Sequence, residues 1–459
     1  MGYGDELGGR SEWGQLLLWL LPVPSLGLFF TFSDGANGDL GTLYELSMTG
    51  FVCGAIVLAS VFGASAVAGQ NRERLATIFG PSMRIMLAAL AVSIACQAAL
   101  LVIAIFELES SLFGRVHAGL LLALSLGAVV ACFTLLSASF RFLKSRPSLV
   151  RASILQEGDQ PDLWSIVRVT SSRLGSIVPD QIVVGLDPTF YVTSNDVKLL
   201  GHNINLRGNT LYVSAPLMRV LSKAEFTAVV GHELGHFRGN DLAYSARFAP
   251  TYSRLGEALH ALYTETTNAS DMAKLPAIAA ISTSLNRFAV AERAISRSRE
   301  FSADEAGAEA ASGMDLAMAL FKVSAFADYW NHVIRWNVEE IGTGSRYTNL
   351  SILFASTCER SLTEVDWATS RDALFANQQP HPIDTHPPLA QRVSALQVNA
   401  EMLKLDAAAI PADAAINLVH QNAETEELLS ILEASWLQAI GAAQPPRSES
   451  SLDQVNSEV

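Results

Sequence analysis

Four runs near the N-terminus carry no charged residue: Gly14–Phe32, Met48–Ala68, Leu87–Phe106 and Ala118–Phe140. A bilayer core of about 30 Å is crossed by about 20 apolar residues in a helix. Buried core helices of a soluble domain rarely come as four such runs separated by short polar loops. The pattern predicts a four-helix transmembrane region over residues 1–147, with spans at about 14–32, 48–68, 87–106 and 118–140. The first run contains Pro22 and Pro24, which predict a kink or a partly interfacial segment. Composition agrees: 50% of the chain is hydrophobic and only 17% charged, against roughly 25% charged in an average soluble domain.

The side of the membrane is read from Lys and Arg. Loop 33–47 has none, whereas loop 69–86 carries Arg72, Arg74 and Arg84. Loop 107–117 has Arg115, and Arg141, Lys144, Arg146 and Arg151 follow the last run. Positive segments face the cytoplasm, so everything after Arg141 is expected there. The leader has one Arg and three acids with no clear small-x-small site after the first run, which reads as a retained anchor. A net charge of −14 argues against a nucleic-acid partner. The four cysteines show no paired spacing, so neither a disulfide framework nor a cysteine-based zinc site is expected.

From about Ser148 the composition is that of a soluble, mostly helical α+β region. Gln181–Gly185 and Asn203–Leu206 read as short strands, and Arg207-Gly208-Asn209 as a turn. Thr210–Ser214 (TLYVS) would then be the second arm of a hairpin. Residues 148–398 are expected to form one domain, 399–440 a helical extension and 441–459 a disordered tail rich in Ser, Gln, Pro and Glu.

One motif carries the chemistry. His232-Glu233-Leu234-Gly235-His236 reads HExxH. Ser222 and Glu225 form a capping box just upstream, and Phe226, Val229, Val230 and Leu234 have helical spacing. On a helix, His232 and His236 share a face and can reach one tetrahedral metal ion. Glu233, beside the first ligand, can act on a metal-activated water as general base. Continuation to a third His fails, because Leu242 stands at that position. The other route is Ser296–Asp304 (SRSREFSAD), where Glu300 and Asp304 are four apart and face the same way. Glu300 could complete a His₂Glu set, and Asp304 could fix the tautomer of a ligand histidine. A solvated run of surface charges explains the same spacing equally well.

The segments VVGHELGHFRGND (229–241), SRSREFSAD (296–304) and THPPLAQR (385–392) together resemble the integral-membrane zinc peptidases that group HtpX-type heat-shock peptidases with CAAX prenyl endopeptidases. The resemblance covers roughly 161–396. It implies a gluzincin-like zinc metallopeptidase domain with a small β-hairpin or sheet, one Zn²⁺ per chain held by His232, His236 and Glu300, and Asp304 behind them. It places His386 and Arg392 near the oxyanion of the transition state or as organisers of the site. It implies protein or peptide substrates, the lipid bilayer as surroundings, and a multi-pass protein of the bacterial cytoplasmic membrane. Two departures stand out. Residues 242–295 contain no charge-free run of spanning length where HtpX-type members usually carry a hydrophobic hairpin, and TFYVT (189–193) replaces the family's Asn-Ala-Phe-Ala segment.

The expected activity is endopeptidase hydrolysis by metal-activated water with Glu233 as base, in membrane protein quality control. Substrate is expected to add as a strand to an exposed edge, with Thr210, Leu211, Tyr212, Val213 and Ser214 as candidates. The alternative is a zinc-binding but proteolytically silent membrane adaptor or chaperone.

Overall fold

The computed structural model describes residues 18–19, 21–32, 41–68, 72–141, 147–201, 204–238, 256, 259, 275–376, 387–406 and 409–443. The chain divides into two compact units: Met1–Ser145 with Ala243–Ile295, and Arg146–Leu242 with Ser296–Val459.

In the first unit the described helices are α1 (Val23–Phe32), α2 (Gly41–Leu58, continued by a π-helical turn at Ala59–Gly63 and a helical turn at Ala64–Ala68), α3 (Arg72–Phe113, with Pro81 inside), α4 (Ala118–Arg141) and the start of a helix at Leu275 that runs on into the second unit. Two segments are long and apolar enough to cross a membrane, Gly41–Gly63 and Thr77–Phe113. Four spans were expected from the sequence. Within the first of those runs the described helical residues are Leu18 and Trp19 and, after a turn at Leu21 and Pro22, α1. In the fourth, the apolar helical stretch that qualifies is the shorter Ala118–Val130. The unit's core joins Val57, Val61, Phe79, Met83, Met86, Leu87 and Leu90 to Ala280, Ile281 and Phe288. Phe79 and Phe288 meet edge to face at 4.7 Å. Residues between the HExxH motif and Glu300 thus contribute to the apolar unit without forming a charge-free run of spanning length.

The second unit is mostly helical with two small sheets. Its first part runs β1 (Ser148–Val150), β2 (Ala152–Ile154), α5 (Pro161–Leu174), β3 (Gln181–Gly185), β4 (Tyr191–Thr193), β5 (Val197–Leu199), β6 (Ile204–Leu206), β7 (Thr210–Ser214), α6 (Ala215–Val220) and α7 (Lys223–Gly235). Next come α8 (Leu275–Ala310, shared between the units), α9 (Gly313–Gly342), α10 (Leu350–Glu364), α11 (Trp367–Ala376), α12 (Leu389–Ala395) and α13 (Asn422–Ala439).

The sheets have the orders β1-β5-β6 and β2-β3-β7-β4. The expected hairpin between Asn203–Leu206 and Thr210–Ser214 does not form: β6 pairs with β5, and β7 pairs parallel with β3 and antiparallel with β4. The reason is burial. All five β7 residues are buried, as in a strand covered on both faces and flanked on both edges. Gly208 (φ +94°) and the Asn209 N–H bond to Asp180 Oδ2 (2.7 Å) redirect the chain between them.

The core of this unit gathers Leu163, Val167, Ile182, Leu211, Val213, Phe226, Val230 and Leu234 with Phe321, Phe326 and Phe354. α7 is thereby clamped between the sheet and α9, which aims its one polar edge at the groups described next.

Candidate metal centre

The capping box forms as expected. Ser222 Oγ accepts from Glu225 N–H at 3.1 Å, and Ser222 N–H donates to Glu225 Oε2 at 2.8 Å. Glu225 also receives the ammonium of Lys322 on α9 at 2.7 Å, and Lys322 donates to the Val220 carbonyl at 3.1 Å. Burial draws the Lys322 pKa down, with Glu225 opposing. A buried, fully partnered charge pair therefore sets the start of α7.

His232 lies in the last turn of α7, and His236 is its C-cap, still in helical conformation (φ −67°, ψ −14°). Their rings stand 4.9 Å apart and nearly perpendicular. Glu300 comes from α8 with one carboxylate oxygen on each: His232 Nε2 to Oε2 is 3.6 Å, and His236 Nε2 to Oε1 is 3.6 Å. Tetrahedral bonds of 2.0–2.1 Å put neighbouring donors about 3.3 Å apart. The three side chains offer donor atoms within 4.8 Å of one another. Two imidazole nitrogens and a carboxylate at that separation fit a divalent metal ion of the zinc type.

Glycines explain the close approach of α7 to α8. A Cβ on Gly231 would stand 2.3 Å from Ala310 Cβ, and one on Gly235 would be 2.9 Å from Ala306 Cβ. A Cβ on Gly307 would be 2.7 Å from the Ala228 carbonyl oxygen. Only helices stripped of side chains at these points can bring Glu300 within reach of the histidines. The sequence reading missed this; the signal was there, in glycines spaced four apart on α7 facing Ala303, Ala306, Gly307 and Ala310 on α8.

Behind the donors lies a second set of contacts. His232 Nδ1 is 3.0 Å from Asp304 Oδ1. An ionised carboxylate only accepts, so Nδ1 carries the proton and Nε2 turns its lone pair toward the donor cluster. Arg392, on α12, grips Asp304 with two bonds: Nε to Oδ2 at 2.9 Å and Nη2 to Oδ1 at 2.6 Å. Its Nη2 is also 3.8 Å from Glu300 Oε2. Asp304 and Arg392 are both buried. Burial pushes the Asp304 carboxyl up, but the Arg392 and His232 hydrogen bonds outweigh it and hold the group below the usual carboxylate range.

Glu233 is half-buried beside this cluster. Desolvation, then the charge of Glu300, push its carboxyl well above the usual range; Arg392 and a hydrogen bond from the Val192 N–H oppose the rise. Val192 is the central residue of β4, at the edge of its sheet. The expected substrate strand, Thr210, Leu211, Tyr212, Val213 and Ser214, forms β7, an inner strand that pairs with β3 along its length and with β4 at Thr210–Tyr212. The edge nearest Glu233 belongs to TFYVT, the segment that departs from the family pattern.

The structure therefore brings together His232, His236, Glu300, Asp304, Arg392 and Glu233. His386 lies outside the described residues; Pro388 is the N-cap of α12.

Comparison with known proteins agrees with this geometry. Residues 201–400 match the model of Peptidase family M48. A Protease HtpX homolog of Gemmatimonas aurantiaca is 27% identical over 312 residues, 65% of this chain and 99% of the relative. One of Thermococcus kodakarensis is 29% identical over 207 residues, 40% of this chain and 63% of the relative. One of Archaeoglobus fulgidus is 28% identical over 246 residues, 52% and 68% respectively. No solved structure matches significantly.

Proposed function

We propose that this chain, which matches peptidase family M48 over residues 201–400 and is similar to Protease HtpX homologs, is a membrane-anchored, zinc-dependent endopeptidase acting on protein substrates. The observation that carries the proposal is the convergence of His232, His236 and Glu300 from two helices, with donor separations of 3.6 Å. When bound, zinc supplies Lewis acidity and an activated water.

The chain's own residues do the rest. Glu233 takes the proton from the attacking water and passes it to the leaving amine. Asp304 holds the His232 ring in the ligating tautomer, and Arg392 holds Asp304. With both arms on Asp304, Arg392 acts as an organiser of the site, while His386 remains the candidate donor to the oxyanion. An extended peptide would lie along β4, where backbone hydrogen bonds align it without reading sequence.

The apolar helices of the first unit hold the protein in the membrane, with four passes and the catalytic unit on the cytoplasmic side, as the Lys and Arg bias indicates. Clearance of damaged membrane proteins is the role we assign to a peptidase anchored in the membrane by its own chain.

The test is metal analysis paired with casein cleavage by wild type and Glu233→Gln. Stoichiometric zinc in both and cleavage only in the wild type supports the proposal. Stoichiometric zinc with no cleavage by either points to a silent adaptor. A reporter fused after Val459 that signals from outside the cell would overturn the orientation.

A further inference from the structure

We propose that Arg151 is a positioning residue, tying the C-terminal helix α13 to the edge strand β4 and so holding the strand along which substrate is aligned. The proposal rests on the peptidase reading for its catalytic consequence, and on geometry alone for the tie itself.

β4 has three residues and one neighbour, β7. So short an edge has few ladder bonds of its own, and its placement depends on what fixes its ends. One fixture is Tyr191, stacked on its cross-strand partner Tyr212 at 4.7 Å with the rings 5° from parallel. The other is Asp187, in the connection from β3. Its N–H donates to the buried Tyr212 hydroxyl at 2.9 Å, and its Oδ1 accepts from Arg151 Nη2 at 2.8 Å.

Arg151 is in turn held from α13. Its Nε forms an ion pair with Glu433 Oε2 at 3.0 Å, without hydrogen-bond geometry, and its guanidinium lies 5.4 Å over the Trp436 ring. The cation thus sits between two carboxylates, one of them nearly buried. Take it away and Glu433 and Asp187 lose their shared counter-charge; the half-exposed Asp187 is the one free to move. Movement there reaches Tyr191 within four residues and Val192, which bonds Glu233, within five.

The experiment uses the full-length, zinc-loaded protein in detergent: wild type, Arg151→Met, Arg151→Lys and Glu433→Gln. Hydrogen–deuterium exchange is followed over 186–193 and over α7, and KM and kcat are measured on a fluorogenic casein-derived peptide. In Arg151→Met the 186–193 amides should exchange about tenfold faster or more while α7 is unchanged. KM should rise about tenfold with kcat within about twofold and zinc content unaltered. Arg151→Lys should recover part of the KM, and Glu433→Gln should move both readouts the same way by less. Unchanged exchange in 186–193 overturns the tie. A fall in kcat and zinc together with KM constant overturns the positioning role, since that is what simple loss of folded protein produces. If Arg151→Met does not fold, the Lys and Gln variants decide by the same readouts. A wild type that cleaves no peptide would remove the peptidase reading, and the exchange result would still decide the tie.

Discussion

His232 and Asp304, 72 residues apart in the chain, meet at 3.0 Å, and the bond turns the remaining imidazole nitrogen toward His236 and Glu300. A ligand histidine without such a partner rotates and shifts tautomer. The site is therefore a property of at least three helices, and each can be tested separately.

Glu233→Gln keeps the size of the side chain and removes its capacity to take a proton. Cleavage should fall by about 10²–10⁴-fold, the usual contribution of a general base. Bound metal should remain stoichiometric, because Glu233 lies outside the donor set. Activity near wild type in this variant would exclude the assigned role.

Asp304→Asn leaves the shape intact and removes the charge that Arg392 and His232 share. Zinc affinity should drop about 10–100-fold, as for other partners of ligand histidines. Competition with a chelating dye measures this; an unchanged constant would mean that Asp304 does not orient His232.

Gly231→Ala should be costly although it adds only one methyl. The new Cβ would fall 2.3 Å from Ala310 Cβ, so α7 and α8 must part. Overpacking of this kind costs about 1–3 kcal/mol. Thermal denaturation should show a lowered Tm together with weakened metal binding, and Ala310→Gly in the same chain should restore part of both, since the Ala306 carbonyl and Gly307 Cα still lie 3.2 Å from the new Cβ. Failure of the second change to rescue would place the strain elsewhere.

Acid stability follows from Asp304. Its folded-state pKa is depressed below the unfolded value of about 3.9. Its contribution is fully present above that value and disappears as pH falls through the folded pKa, where the native carboxylate takes up its proton. In Arg392→Met the bidentate partner is gone while burial remains, so the Asp304 pKa rises. Acid unfolding of the metal-free variant, followed by circular dichroism, should have its midpoint at higher pH than metal-free wild type. Coincident midpoints would show that the Arg392–Asp304 pair stabilises nothing.

Much of this protein was legible along the chain because the signals are local. The capping box at Ser222 and Glu225, the i, i+4 histidines and the β3 strand depend on residues within one or two turns of each other. The apolar runs are local as well: a helix reveals its hydrophobicity without reference to what it packs against. Whether a run forms one long helix is less local, and two described segments reach spanning length where four runs were marked.

Pairing was not legible in the same way. Thr210–Ser214 reads the same as a hairpin arm or as an inner strand, because alternation reports burial and says nothing about which backbone supplies the hydrogen bonds. β7 went to the inside of a sheet because β3 pairs along all of it and β4 along Thr210–Tyr212, and that passed the free edge there to Tyr191–Thr193. Likewise the acids of Ser296–Asp304 could have been a solvated face. Glu300 and Asp304 became buried, converging groups because glycines on α7 and α8 let two backbones approach, and because Arg392 from α12 supplied the charge that makes burial of Asp304 tolerable. Sequence alone determined which residue types were present and which lay on one helical face. Tertiary structure decided which faces met, since the cost of burying a carboxylate is offset only by a partner that the fold brings from far along the chain.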